Sequence, residues 1–236
     1  MKSVILDNIY KKYDIANLSY GAIHDKLGDL YEEYCITVLN NPEHLHLIKA
    51  GRDNSELEFQ VFKAILAIYN IQDFSEIVKI EATNKIPHRE TRGLSKTDVI
   101  MTILRENGEQ SKFAISCKQS YAPKMAFAEF DVETICREVG ITNSRLKYLM
   151  LKHQTEKSAK NFSAAEKQEL RELLAPIAKR FIRWVVTGSP DENPANLVYP
   201  TSIIKFKLQK PKDRYNIKVD KGELQLLSYQ DRKSVV

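Results

Sequence analysis

The order of periodic segments predicts an α/β (α+β) domain, and three observations carry that prediction. Long stretches near the start and past the middle repeat apolar residues every three or four positions, as amphipathic helices do. Short runs rich in Ile, Val and Phe occupy the centre, and more follow near the end. Helices, central strands, helices and further strands, in that order, fit a single mixed domain over residues 1–236. That length can bury a full-sized core, and 43% hydrophobic with 28% charged residues is ordinary for a soluble globular chain.

Each element has its own signal. "AIHDKLGDLYEEYCITVLNN" places Ile23, Leu27, Leu30, Tyr31, Tyr34, Val38 and Leu39 on one helical stripe, with Asp, Glu and Lys opposite. Asn40, Asn41 and Pro42 end it. "SELEFQVFKAILAIYNI" is a second helix, with Ser55 and Glu58 at capping-box spacing. "FSEIVKIEA" is expected to be a strand and "ATNKIPHRETRGLSK" a polar loop. "TDVIMTILR" and "KFAISCK" are two strands around "ENGEQS", where Asn107 and Gly108 mark a hairpin turn longer than the two-residue type.

"AEFDVETICREVGI", "NSRLKYLMLKHQ" and "SAAEKQELRELLAPIAKRFIRWVVTG" are helical, Ser163 and Glu166 capping the last. Pro176 makes a kink or a boundary inside it. Near Phe181 the pattern is expected to change to strand, because "FIRWVVTG" is short, apolar and β-branched. "SPDENPANLVYP" reads as a loop, and "TSIIKFKLQ" and "YNIKV" as strands.

The net charge of +5 is concentrated at one end. Residues 201–236 hold nine Lys or Arg against four Asp or Glu, while residues 1–200 balance at 27 of each. A basic end of this kind suits a phosphate backbone. Cys35, Cys117 and Cys136 are odd in number and form no CxxC pair, which argues against a disulfide framework or a cysteine zinc site. They fit a reducing, cytoplasmic compartment. The start, "MKSVILDNIYKKYDI", lacks the apolar centre and cleavage site of a secretory signal, and no run is long enough to span a bilayer, so no membrane partner is expected.

The central hairpin also carries chemistry. Asp98 heads its first strand, and Ser116 and Lys118 lie in its second. Residues i and i+2 share a strand face, so Ser116 and Lys118 point together toward Asp98 while Cys117 turns to the core. A carboxylate and a lysine on adjoining strand ends can hold a hard divalent cation and steady a phosphate under attack. The pattern is short, and a turn-capping acid with a solvated lysine would satisfy it equally.

Longer blocks go further. "KLGDLYEEY", "SKTDVIMTI", "FAISCKQS", "AEFDVETICREVGI", "LKHQ…SAKNF" and "RFIRWVVT" run in that order over residues 10–190, and together they resemble the MspI-type type II restriction endonucleases, which cut DNA at CCGG. The resemblance implies a restriction-endonuclease-like core of the PD-(D/E)xK kind, with a central mixed β-sheet flanked by helices. It places Asp98 on the family's metal-binding aspartate and Lys118 on its catalytic lysine. Ser116 falls where the wider fold commonly has Asp or Glu and the MspI type looks like an asparagine, which makes it a neutral, weaker metal ligand. Glu32 matches a glutamate of the first helix that approaches the metal.

The same resemblance implies Mg2+ as cofactor, double-stranded DNA as substrate, and a cut after the first C of CCGG. It also implies a cognate cytosine methyltransferase and a monomer or weak dimer. Gln119, Ser120, Tyr121 and Lys124 are the expected DNA contacts, although Ala122 and Pro123 stand where the family has lysines. Arg183 is expected to reach a phosphate, and Trp184 to lie in the core. Helix-start capping accounts for Glu129 and Asp131, and packing or capping for His153. The family continues into a Gly-, Ser- and Lys-rich segment where this chain reads "VDKGELQLLSYQDRKSVV", so residues 201–236 are expected to be a shortened DNA-reading region. The alternative reading is a nuclease-fold DNA-binding protein that is catalytically impaired or truncated.

Overall fold

Two apolar runs joined by a Gly108 turn pair into the hairpin at the middle of a five-stranded sheet. The structure, a computed structural model, describes residues 4–87, 95–120, 130–190, 196–207 and 224–228. The chain divides into two compact units, residues 1–125 with 197–236, and residues 126–196.

In the first unit, helices α1 (Val4–Lys12), α2 (Tyr20–Leu39), α3 (Pro42–Lys49) and α4 (Leu57–Ile68) precede strands β1 (Ile77–Thr83), β2 (Val99–Arg105) and β3 (Gln110–Ser120). Strands β4 (Ser202–Lys207) and β5 (Leu224–Ser228) follow the second unit. The sheet order is β1-β2-β3-β4-β5, with β3 and β4 parallel and the other pairs antiparallel. This is the mixed central sheet expected of the fold.

The α2 stripe explains its packing. Leu27, Leu30, Tyr31, Tyr34 and Val38 join Val99, Met101, Ile103, Ile115, Cys117 and Ile204 in one core. Strand alternation sends Val99, Met101 and Ile103 of β2, Ile115 and Cys117 of β3, and Ile204 of β4 into that core. Each large aliphatic or aromatic side chain so buried contributes about 1.5–3 kcal/mol. In the hairpin turn Gly108 takes φ +81°, a left-handed conformation that favours glycine.

Local boundaries differ from the sequence pattern in two places here. Asn40–Pro42 end α2 and also start α3, since the Asn41 side chain accepts from the Glu43 amide and Pro42 opens the helix. The Ser55–Glu58 capping box does not form. The residue before α4 is Glu56, with no side-chain capping bond, while Asn54 Oδ1 accepts from the Glu56 amide and tightens the lead-in. The expected strand "YNIKV" lies outside the described residues.

The second unit is helical: α5 (Val132–Val139), α6 (Ser144–Glu156), α7 (Ala164–Leu174) and α8 (Ala178–Thr187). Asp131 and Asn143 cap the first two through the amides of Thr134 and Leu146. The Ser163–Glu166 capping box is complete, at 3.1 and 2.9 Å. Pro176 sits in a single tight turn, Ala175–Ile177, between α7 and α8, and so marks a boundary.

The expected strand "FIRWVVTG" is instead the body of α8. Arg183, Trp184, Val186 and Thr187 are buried while Ile182 is exposed, so burial follows a helical face rather than alternation. Tertiary packing overrides the β-branched preference: Trp184 stacks on Phe130 with ring centroids 4.5 Å apart, and Gly188 at φ +83° closes the helix. Gln154 accepts from the Val132 amide and donates to Phe130 O, and His153 packs edge-on against Phe162.

Candidate active site

Register places the site. Val99 pairs with Ile115 across the hairpin, which sets Asp98, one residue before β2, beside Ser116. The Asp98 amide donates to Ile115 O at 2.8 Å and continues the ladder past the strand end. A brace holds this lead-in: Ser95 Oγ donates to Val198 O at 2.7 Å and accepts from the Thr97 amide.

Three donors converge on one carboxylate oxygen. Ser116 Oγ, the Cys117 amide and Lys118 Nζ donate to Asp98 Oδ2 at 3.0, 2.7 and 3.1 Å. Lys118 Nζ also donates to Cys117 O at 3.0 Å, which fixes the ammonium over the strand. Strand alternation thus brings Ser116 and Lys118 to Asp98 and buries Cys117 in the core. A hydrogen bond with Cys35, then burial, push the Cys117 thiol well above its ordinary range, so it stays a neutral packing group.

Glu32 reaches the same region from α2, which packs on β3. Burial, then the charge of Asp98, then that of Asp29 push its carboxyl up to about 7, against a smaller lowering by Lys118. A half-buried acid so near neutrality has its charge disfavoured by surroundings that a cation would relieve. Lys205, which the sequence reading did not single out, lies buried in β4 opposite Lys118 in the parallel register.

The expected DNA contacts fare differently. The backbones of Gln119 and Ser120 extend β3 and pair with Phe206 and Lys207. Their side chains, and the whole of Tyr121 and Lys124, lie outside the described residues. Arg183 is 6% exposed and its Nη1 donates to Pro190 O at 3.0 Å, so this edge of the guanidinium serves the chain's own backbone.

Oxygen donors from Asp98, Glu32 and Ser116 are the kind a hard divalent cation takes. Among the described residues, no group of three or more His, Cys, Asp or Glu side chains could hold a metal ion. Among the described residues no helix is long and apolar enough to cross a membrane.

Residues 8–211 match the family described as Restriction endonuclease MspI. The chain is 33% identical over 212 residues to the type II restriction enzyme MspI of Moraxella sp, covering 88% of this chain and 80% of that protein. It superposes with a TM-score of 0.80 and 30% identity on the crystal structure of restriction endonuclease MspI in complex with its cognate DNA, covering 97% of this chain and 84% of that one. A match over most of both lengths, on a sheet that brings Asp98, Ser116 and Lys118 together, means that this chain belongs to the MspI family of restriction endonucleases.

Proposed function

We propose that the chain is a Mg2+-dependent type II endonuclease that hydrolyses duplex DNA at CCGG, cutting after the first C. The observation that carries this is the convergence of Ser116, the Cys117 amide and Lys118 on Asp98 Oδ2, with Glu32 held near neutrality beside them. The relatives, a type II restriction enzyme and a restriction endonuclease in complex with its cognate DNA, support a site-specific cut in duplex DNA.

Each residue has a part. Asp98 would offer a carboxylate oxygen to the cation, and the bonds on Oδ2 fix that carboxylate in orientation. Glu32 would be a further oxygen ligand, its raised pKa relieved by the charge of a bound cation. Ser116 supplies a hydroxyl lone pair while its proton stays with Asp98. Mg2+ bound there would polarise the phosphoryl oxygen and lower the pKa of a water. Lys118 orients the attacking water and offsets the charge growing on the phosphate. Water attacks phosphorus in line, a new P–O bond forms, and the bond to the 3′ oxygen breaks.

Gln119, Ser120, Tyr121 and Lys124 follow directly on the catalytic strand, which supports their placement along the DNA. For Arg183 a phosphate contact competes with its bond to Pro190 O. A cell carrying such an activity needs its own CCGG sites protected, hence a cognate cytosine methyltransferase.

Digestion of a long unmethylated duplex with Mg2+, followed by sequencing of the fragment ends, tests the proposal. Ends that begin within CCGG support it, and intact DNA at high protein concentration sinks it. One observation favours a second reading, a DNA-binding protein without catalysis: the donor beside the lysine is a neutral hydroxyl already engaged with Asp98. Gel shift without cutting would select that reading.

A further inference from the structure

Asp98 stands just before β2 begins, and its amide donates to Ile115 O beyond the end of that strand. Element ends open at lower cost than element centres. The three donors on Oδ2 hold the side chain, and all of them come from β3. The backbone that carries the carboxylate needs a hold from another direction.

Ser95 supplies one. Its Oγ donates to Val198 O at 2.7 Å, with Thr97 O farther off at 3.4 Å, and accepts from the Thr97 amide at 3.1 Å. Val198 lies 103 residues along the chain, in the lead-in to β4, and belongs to the same compact unit as Ser95. That lead-in is itself pinned to β3, because the Thr201 amide and Oγ1 both donate to Ala114 O, at 2.8 and 3.1 Å. The bonds close a ring. It runs from Asp98 to Ile115, along β3 to Ala114, across to Thr201, back to Val198, and across to Ser95. Thr97 and Val198 are both buried, so water competes little for the bonds that Ser95 makes.

We propose that Ser95 is a positioning residue for the metal-binding carboxylate, locking the backbone ahead of Asp98 to the lead-in of β4. The inference rests on the nuclease reading for what Asp98 binds, and it adds a residue that the acid–lysine pattern does not contain. Ser95 acts through Asp98 and is not itself a ligand. Removing the support of a metal ligand typically costs about 10–100-fold in metal affinity or activity.

The test uses full-length protein. Ser95→Ala opens the ring and leaves the β2–β3 hairpin paired. It should lower kcat with Mg2+ by about 10–100-fold at an unchanged KM for a CCGG duplex. Mn2+ affinity without DNA, read by electron paramagnetic resonance, should weaken by a similar factor, and hydrogen exchange at the Asp98 amide should quicken. Ser95→Thr keeps the hydroxyl and should restore all three. Ser163→Ala, which removes the α7 cap in the other unit, is the stability control: it should lower the melting temperature and leave kcat and Mn2+ affinity alone.

Wild-type Mn2+ affinity and Asp98 exchange in Ser95→Ala overturn the proposal, as does a loss that Ser163→Ala matches or that Ser95→Thr fails to repair. Unfolding of both Ser95→Ala and Ser95→Gly overturns it too, because Ser95 is then a structural group. Wild-type cleavage is scored separately. Cutting by wild type with Ser95→Ala unaltered defeats only the Ser95 role. Mn2+ binding without cutting, weakened in Ser95→Ala, defeats only the catalytic reading. Wild type that neither binds Mn2+ nor cuts defeats both.

Discussion

Ser116 Oγ gives its hydrogen to Asp98 Oδ2 at 3.0 Å, so the serine supports the carboxylate before it can serve any metal. Ser116→Ala removes that bond at a buried position, and loss of a hydrogen bond to a charged group costs about 1.5–3 kcal/mol. Thermal melting in metal-free buffer should show it. Ser116→Asp instead sets two carboxylates side by side. It should lower the melting temperature without metal, recover with Mg2+, and need several-fold less Mg2+ for half-maximal cutting, on the scale of a neutral donor replaced by a charged one. An unchanged Mg2+ titration would count against Ser116 as a ligand position.

The carboxyl of Glu32 titrates at about 7 in the folded chain, raised first by burial and next by Asp98, against about 4.5 when unperturbed. The folded state therefore binds this proton more tightly. The stability it contributes is complete below about pH 4.5 and declines as pH rises through 7. Glu32→Gln should melt higher than wild type at pH 8 in metal-free buffer and equally at pH 4.5, while losing Mg2+-dependent cutting. A variant less stable at pH 8 would remove the basis for placing a charge-starved acid at the site.

Asp98→Ala should fold and bind DNA but cut slower by on the order of 10²–10³, the scale of removing one charge-stabilising group. Because Asp98 is among the causes of the raised Glu32 pKa, the pH window of instability should also narrow in this variant. Wild-type turnover would show that another acid does the work.

Arg183 allows two roles to be separated. Its part-buried Nη1 bond to Pro190 O makes Arg183→Met expected to destabilise by roughly 1.5–3 kcal/mol, as loss of a charge-assisted bond does. An unaltered salt slope of DNA binding in the folded variant would assign Arg183 to the fold alone. A shallower slope would restore the phosphate contact.

Gly140 ends α5 at φ +75°, and a Cβ there would lie 3.2 Å from Arg180 Nη1. Gly140→Ala should cost about 1 kcal/mol in urea unfolding, from left-handed strain, with little change in DNA affinity. The guanidinium can swing away, so a much larger loss would mean that Arg180 is fixed.

How much of this was legible depended on range. The β2–β3 hairpin and the meeting of Asp98, Ser116 and Lys118 follow from alternation and one turn, all within a short stretch, so the sequence carried them. The α8 segment misled because Ile, Val and Trp favour strands locally, whereas Phe130 and the buried face of Trp184 decide otherwise. The Ser55–Glu58 spacing was present, yet the bond of Asn54 to the Glu56 amide starts α4 differently. Lys205 stayed hidden because its place depends on a parallel register between strands some 80 residues apart, which no local pattern states.

That separation has a consequence for assembly. The hairpin holding Asp98 against Lys118 closes a short loop, while β4 joins β3 only after the whole helical unit has been traversed. Contacts over short loops form faster than distant ones. Pulse-labelled hydrogen exchange should find β2 and β3 amides protected before those of β4. A newly made chain would then hold Asp98 against Lys118 on a finished hairpin while the β3 edge still waits for β4.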